Sequence, residues 1–130
     1  MTTRIVLALS AVIWLPYGVY CFFAPDALAG IAGVTAGSTT GSIELRAMYG
    51  GLQLAIGALA GAGALRAALE RPALVALAFL CAGLFLARTA GALFEGELSA
   101  YTASGLVFEL GSALLVGWRL ASPASPAATA

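Results

Sequence analysis

Four long apolar segments, separated by short polar stretches, constrain this chain more than any other feature of its sequence. They cover about residues 5–23, 43–65, 73–94 and 101–120. Each is close to the ~20 residues that an α-helix needs to cross ~30 Å of hydrocarbon. The apolar runs are continuous and lack the two-residue alternation of a β-barrel strand. The sequence therefore predicts an all-α, integral membrane four-helix transmembrane bundle, formed as a single domain over residues 1–120.

The composition excludes a water-soluble domain and several kinds of active site. Hydrophobic residues make up 62% and charged residues 9% of the 130 positions, whereas soluble domains carry about 25% charged residues. With net charge +0 and no Lys or His, the chain has no basic surface for nucleic acid. Without His, and with only two isolated Cys, it cannot build an ordinary zinc or copper site or a His-based triad. No metal or cofactor is predicted, and no nucleophile–base set favours an enzyme.

The two ends of the chain need separate interpretation. The first apolar segment also resembles the hydrophobic part of a signal peptide, with Arg4 before it and Ala27–Ala29 near a cleavage site. Its length and its content of Pro16 and Tyr17 favour a transmembrane helix instead. The Ala-, Ser- and Pro-rich residues 121–130 are of low complexity, and we predict a disordered tail.

The charged residues predict an orientation in the membrane. If the N-terminus is cytoplasmic, one group of arginines falls on the inner side: Arg4, Arg66, Arg71 and Arg119. The outer side then receives a group of acidic residues: Asp26, Glu44, Glu95 and Glu97. This distribution is typical of the positive-inside rule. We therefore predict a multi-pass membrane protein with both termini in the cytoplasm.

The short polar stretches predict where helices begin and end. Residues 66–71 and 95–100 are short enough to be turns between antiparallel neighbours. Ser42 is predicted to be the N-cap of the second helix, with Glu44 in its first turn facing the positive end of the helix dipole. On this interpretation Glu44 is structural.

Three charges lie inside the apolar segments: Arg46, Arg88 and Glu109. A charge at mid-bilayer costs at least ~2.5–3.5 kcal/mol, so it is normally paired, lines a cavity or takes part in chemistry. Helix rise and helical phase place the three charges in one layer about 5–15 Å below the outer boundary. The same layer is predicted to contain three more polar side chains, Tyr17, Tyr49 and Gln53.

Three interpretations of this layer remain open. In the first, Glu109 accepts hydrogen bonds from Arg88, Arg46 or both and only fixes helix packing, as in a purely structural subunit of a membrane complex. In the second, two arginines facing one carboxylate form a pocket for a quinone-like ligand, a lipid head group or a small anion, in a binding or accessory subunit. In the third, Glu109 serves a proton-coupled small-molecule carrier. The absence of a second acid toward the inner face disfavours the carrier.

Small residues in the apolar segments are interpreted as packing residues. Gly57 and Gly61 have the spacing that permits close helix approach, either within the bundle or in a homo-oligomer or membrane-complex partner. Cys21 and Cys81 differ in depth by roughly 10 Å, which is too far for a disulfide, and are expected to be core residues.

A stretch of the second segment resembles a known family. Residues 44–57, ELRAMYGGLQLAIG, are similar to the signature of a bacterial membrane family known only as a domain of unknown function, number 4345. Residues 87–91, 95–99 and 108–110 also look like that family's pattern. The resemblance covers most of residues 5–120. It implies a small four-helix inner-membrane protein, loosely similar in build to DoxX-type proteins, some of which work beside quinone-linked redox enzymes. It implies no activity and no catalytic residue.

Overall fold

The computed structural model describes residues 3–122, most of which are helical, with no β-strand among them. The helices are α1 (Thr3–Phe23), α2 (Ala27–Ala32), α3 (Thr39–Leu45), a π-helical segment (Arg46–Gly51), α4 (Leu52–Leu65), α5 (Ala67–Glu95) and α6 (Ala100–Ala121). The three elements between Thr39 and Leu65 form one continuous helix. Four helices are long and apolar enough to cross a membrane, so the predicted all-α membrane fold is confirmed.

The four long helices pack in chain order. Helix α1 packs on α4, α4 on α5, and α5 on α6. The bundle has a terminal end, which holds Thr3, Arg66 and Ala121, and a loop end, which holds Phe23 and the turn 96–99. At the terminal end, Arg4 pairs with Glu70 at 2.7 Å, and Arg119 donates to the Thr3 hydroxyl at 3.0 Å.

The core is made of apolar side chains from all four long helices. Its buried members include Leu7 and Trp14 of α1, Ala60 of α4, Leu77 and Cys81 of α5, and Val116 of α6. Large apolar side chains also cover the outside of the bundle, among them Phe79, Leu86 and Val107. A bundle surrounded by lipid rather than water has this distribution, because lipid tails are as apolar as its surface.

Glycines bring α1 and α4 into backbone contact. A Cβ atom on Gly57 would lie 2.8 Å from the backbone nitrogen of Leu15, and one on Gly50 would lie 2.8 Å from Cα of Phe22. A Cβ on Gly61 would make only an ordinary contact of 3.7 Å, with Ala11. Close approach therefore depends on Gly57 and not on Gly61.

The second membrane helix begins earlier than the sequence indicates. The predicted N-cap at Ser42 is wrong, because the backbone N–H of Ser42 already donates to the Ser38 carbonyl at 3.0 Å. Ser38 is the N-cap: its backbone is extended and its hydroxyl accepts from the Gly41 N–H at 3.1 Å. Glu44 therefore lies beyond the first turn of α3, where it is exposed.

The predicted turn over residues 66–71 is also wrong. Helix α5 begins at Ala67, and Arg66, with an extended backbone, is the one residue between α4 and α5. Pro72 lies inside α5 instead of at its start, and the turn that precedes it carries Glu70, the partner of Arg4. At the loop end, α5 ends at Glu95 and is capped by Gly96, whose φ of 66° is readily adopted by glycine. Ala121 belongs to α6, and residues 123–130 of the predicted tail lie outside the described residues.

Candidate intramembrane polar site

Arg88 of α5 and Glu109 of α6 form a hydrogen-bonded ion pair between neighbouring helices. Nε of Arg88 donates to Oε1 and Oε2 of Glu109 at 3.0 and 3.1 Å, and Nη2 donates to Oε1 at 2.7 Å. Glu109 is only 3% exposed, while the Arg88 side chain is 27% exposed. Charge-assisted contacts of this forked geometry fix orientation as well as distance. The pair therefore sets the register of α5 against α6.

The surface of α6 is shaped to hold the Arg88 guanidinium. A Cβ on Gly105, one turn before Glu109, would lie 2.8 Å from Nε and 3.0 Å from Cζ of Arg88. One turn earlier again, the ring centroid of Tyr101 lies 5.7 Å from Cζ, within the range of a cation–π contact. Residues 101, 105 and 109 share one face of α6 because they are spaced by four. They form the guanidinium seat, made of Tyr101, Gly105 and Glu109.

Arg46 has a different partner. Its Nη1 donates to the backbone carbonyl of Phe22, in the last turn of α1. The last carbonyls of a helix have no partner within the helix, and a cation there also interacts favourably with the dipole. The ion pairs among residues 3–122 are Arg4–Glu70 and Arg88–Glu109, so the structure does not bring Arg46 to Glu109.

The other three predicted residues line the region between the helices. Tyr49, in the π-helical segment, is near enough to Arg88 to interact with its charge. Tyr17 of α1 neighbours Tyr101 of α6. Gln53 is 7% exposed and donates to the Met48 carbonyl at 3.4 Å. Its Oε1 has no partner within residues 3–122.

The π-helical segment explains why Arg46 and Gln53 are separated from the pair. A π-turn is closed by i→i+5 hydrogen bonds and holds more residues than an α-turn, so it changes the phase of the residues on either side. Gly50, inside this segment, and Gly57 both approach α1 closely. This face of the second membrane helix therefore packs on α1, away from Glu109. The structure groups Arg88 and Glu109 with Tyr101, and places Tyr49 and Tyr17 beside this group.

An open cleft lies above the pair at the loop end. It has a volume of about 310 Å³ and lies between the end of α5 and the start of α6. Its lining consists of Arg88, Gly91, Ala92, Glu95, Glu97, Ser99 and Thr102. A Cβ on Gly91 would meet no atom within 4 Å, so the wall of the cleft is open at this position.

The chemistry that this cleft offers is hydrogen bonding and charge. Among residues 3–122, Nη1 of Arg88 has no hydrogen-bond acceptor, while Nε and Nη2 are held by Glu109. No group of three or more His, Cys, Asp or Glu that could hold a metal ion occurs in that part of the chain. The lining of the cleft thus combines a guanidinium that Glu109 holds in place with two carboxylates.

Sequence reasoning missed several residues of this site. The sequence indicates Glu95 and Glu97 only as charges on the outer side, and it does not mark Tyr101 and Gly105 as neighbours of Arg88. The spacing of four residues between Tyr101, Gly105 and Glu109 is the signal that could have found the seat.

Comparison with known proteins identifies the family. The profile of the family described as a domain of unknown function (DUF4345) matches residues 2–120, which cover the four membrane-length helices apart from the last residue of α6. The chain belongs to the DUF4345 family. The resemblance seen in residues 44–57 is thereby confirmed. Neither the curated proteins nor the solved structures contain a significant match to this DUF4345 protein.

Proposed function

We propose that this small multi-pass membrane protein of the DUF4345 family is a binding or accessory protein. Its ligand is an amphiphile whose polar head occupies the cleft above Arg88. The observation that carries the proposal is that Arg88, whose Nη1 has no acceptor among residues 3–122, lines a cleft of about 310 Å³. A carbonyl or phosphate oxygen is a good acceptor for this nitrogen. A quinone-like molecule, a lipid head group and a small anion all carry such an oxygen.

The size and surroundings of the cleft support a head group with an apolar tail. Ligand pockets in proteins usually measure about 300–1,000 Å³, so this cleft is large enough only for a small group. Leu93 and Phe94 follow two of the lining residues along α5 and are exposed, Phe94 to 87%, so the outer surface of α5 at the loop end is apolar. An amphiphile whose head lies in the cleft meets this apolar, lipid-facing surface at the same end of the bundle.

The guanidinium is held in place before any ligand arrives. Glu109 binds two of its nitrogens and the backbone at Gly105 supports its inner face. Ordering a long side chain at binding costs ~0.5–1.5 kcal/mol, and a side chain that is already fixed avoids most of that cost. The ion pair and the binding site are therefore compatible roles for Arg88.

We further propose that the loop end faces outward from a bacterial inner membrane, with both chain termini in the cytoplasm. The terminal end carries four of the six arginines, namely Arg4, Arg66, Arg71 and Arg119. The loop end carries Asp26, Glu44, Glu95 and Glu97. The positive-inside rule favours this orientation, which opens the cleft toward the outer leaflet.

A purely structural subunit of a membrane complex is the second candidate. The observation that favours it is that Glu109 is fully hydrogen-bonded by Arg88 and needs no ligand. No observation favours the proton-coupled carrier. Gln53 and Glu109 are the buried polar residues among 3–122, so no further buried acid leads from Glu109 toward the terminal end.

Native mass spectrometry tests the proposal. The protein is extracted from its membrane in polymer discs with native lipid and compared with the Arg88→Gln/Glu109→Gln double variant, whose two amides keep the shape of the pair. We expect the wild type to retain a stoichiometric amphiphile and the double variant to lose it while remaining folded. Retention of no molecule by the wild type, or equal retention by both proteins, contradicts the proposal and favours the structural subunit.

A further inference from the structure

Glu95 and Glu97 indicate the chemical class of the head group. Both acids line the cleft, and neither forms an ion pair with a residue in the described range 3–122. Arg88, the one cation of the lining, is already neutralised by Glu109. The cleft and its base therefore carry one positive and three negative charges.

This balance disfavours a ligand that is only an anion. Such a ligand gains the free edge of Arg88 but lies beside two carboxylates of the same sign, and like charges in a binding site are costly. A ligand that is only a cation is attracted by Glu95 and Glu97 but leaves the guanidinium edge without an acceptor. A head group that carries both charges satisfies both ends of the cleft.

We infer that the cleft binds a zwitterionic head group, with a protonated amine at Glu95 and Glu97 and an oxyanion at Nη1 of Arg88. This inference rests on the proposed function and names the ligand class of the same cleft. The Cα atoms of Arg88 and Glu95 are separated by about 10 Å along α5, and both side chains extend into the cleft lining.

The amine has to be a hydrogen-bond donor. A primary ammonium has three N–H groups to donate to the two carboxylates, whereas a trimethylated ammonium has none. The cleft should therefore prefer an ethanolamine head group to a choline head group. Two sources carry the required chemistry, an aminophospholipid of the membrane and a free small zwitterion. The apolar outer surface at the loop end, where Leu93 and Phe94 are exposed, favours the phospholipid.

The test measures which lipid remains bound. The purified protein is placed in nanodiscs of phosphatidylcholine that contain equal small fractions of phosphatidylethanolamine and phosphatidylglycerol. Lipids retained on the protein after release from the discs are counted by native mass spectrometry. We expect phosphatidylethanolamine to be enriched about fivefold over phosphatidylcholine. This ratio corresponds to the attraction of one ammonium group to two partly exposed carboxylates, Glu95 and Glu97.

Two variants test whether the enrichment depends on the cleft or on surface charge in general. Glu95→Gln/Glu97→Gln should abolish the enrichment. Glu44→Gln removes an exposed acid that lies outside the cleft lining and forms no ion pair among residues 3–122, so it should retain the enrichment. Competition by free phosphoethanolamine, added at millimolar concentration, indicates that the head group alone is sufficient. Failure to compete, with the enrichment intact, assigns the site to the membrane lipid.

Two contrary results have different meanings. Enrichment of phosphatidylglycerol, or an enrichment that Glu95→Gln/Glu97→Gln does not change, overturns the zwitterion inference. If the native extraction of the preceding section shows a bound molecule without an amine, the proposed function stands and this inference fails. If neither experiment retains any molecule, both fail.

Discussion

Arg88 and Glu109 are joined by hydrogen bonds of 2.7, 3.0 and 3.1 Å, and Glu109 is almost completely buried. The other ion pair among residues 3–122, Arg4–Glu70, lies exposed at the terminal end. The Arg88–Glu109 pair therefore has two effects. It fixes α5 against α6, and it holds in place the guanidinium of Arg88, a residue that lines the cleft at the loop end.

Removing one charge of the pair should destabilise the bundle more than removing both. Glu109→Gln leaves Arg88 without its counter-charge. We expect the free energy of unfolding to fall by about 1–3 kcal/mol, which lies between the values for intramembrane hydrogen bonds and for buried ion pairs. Adding Arg88→Gln should restore most of that loss. Equilibrium unfolding in mixed detergent micelles measures both effects.

Arg46 supplies the control for this comparison of single and double variants. It bonds the Phe22 carbonyl and forms no ion pair with Glu109, so Arg46→Gln and Glu109→Gln should have additive effects within about 0.5 kcal/mol. Strong coupling between these two changes would place Arg46 in the same charge network and contradict the arrangement described above.

Gly105 should be required for the pair to form. The Ala side chain of Gly105→Ala would overlap Nε of Arg88, which would have to move away from Glu109. We expect the free energy of unfolding to fall by about 1 kcal/mol, which is comparable with the contribution of an intramembrane hydrogen bond. Gly111→Ala, on the same helix, enters open space and should cost nothing.

The Arg88→Gln/Glu109→Gln background extends the Gly105 test. Because no guanidinium lies over Gly105 in that background, Gly105→Ala should no longer destabilise the protein. An unchanged loss would show that Gly105 serves backbone packing and not the ion pair.

Gly57 should be required for α1 to pack on α4. Gly57→Ala places a methyl group 2.8 Å from the Leu15 backbone nitrogen, so a whole helix has to shift. Overpacking of this kind costs about 1–3 kcal/mol. Gly61→Ala adds an ordinary contact of 3.7 Å and should change the unfolding free energy by less than about 0.5 kcal/mol. Equal losses from the two variants would show that the whole small-residue motif is needed.

Cysteine labelling tests the proposed orientation. In a background that carries Cys21→Ala and Cys81→Ala, Leu98→Cys reports on the turn at the loop end and Ala67→Cys on the terminal end; both positions are exposed. A membrane-impermeant maleimide should label the Leu98→Cys variant in intact cells. It should label the Ala67→Cys variant only after the membrane is permeabilised. The reverse pattern contradicts the orientation and the outward-facing cleft.

The number and character of the membrane helices could be predicted because they depend on local sequence. Segments such as 101–120 are apolar over the length that hydrocarbon requires. The convergence of Arg88 and Glu109 was also accessible, since α5 and α6 are antiparallel neighbours and helix rise gives the depth of each residue.

The details that escaped prediction depend on tertiary contacts or on departures from the ideal helix. The π-helical segment at Arg46–Gly51 changes the phase of the second membrane helix, and depth estimates with a constant rise do not include it. The partner of Arg46 is a backbone carbonyl of α1, which any residue type would supply. Ser38 and Ser42 are equally good N-caps by residue type, so the true start of α3 was not decided by sequence.

The most direct test of the proposed binding site fills the cleft without touching the ion pair. Gly91→Leu extends a side chain into the cleft from a position where an added Cβ meets no neighbour, so the fold should be retained. Gly83→Leu makes the same change about two turns away on α5, also into open space but outside the cleft lining. Native mass spectrometry in native-lipid discs should show that Gly91→Leu loses the bound amphiphile while Gly83→Leu retains it. Equal occupancy in both variants would contradict a binding site above Arg88.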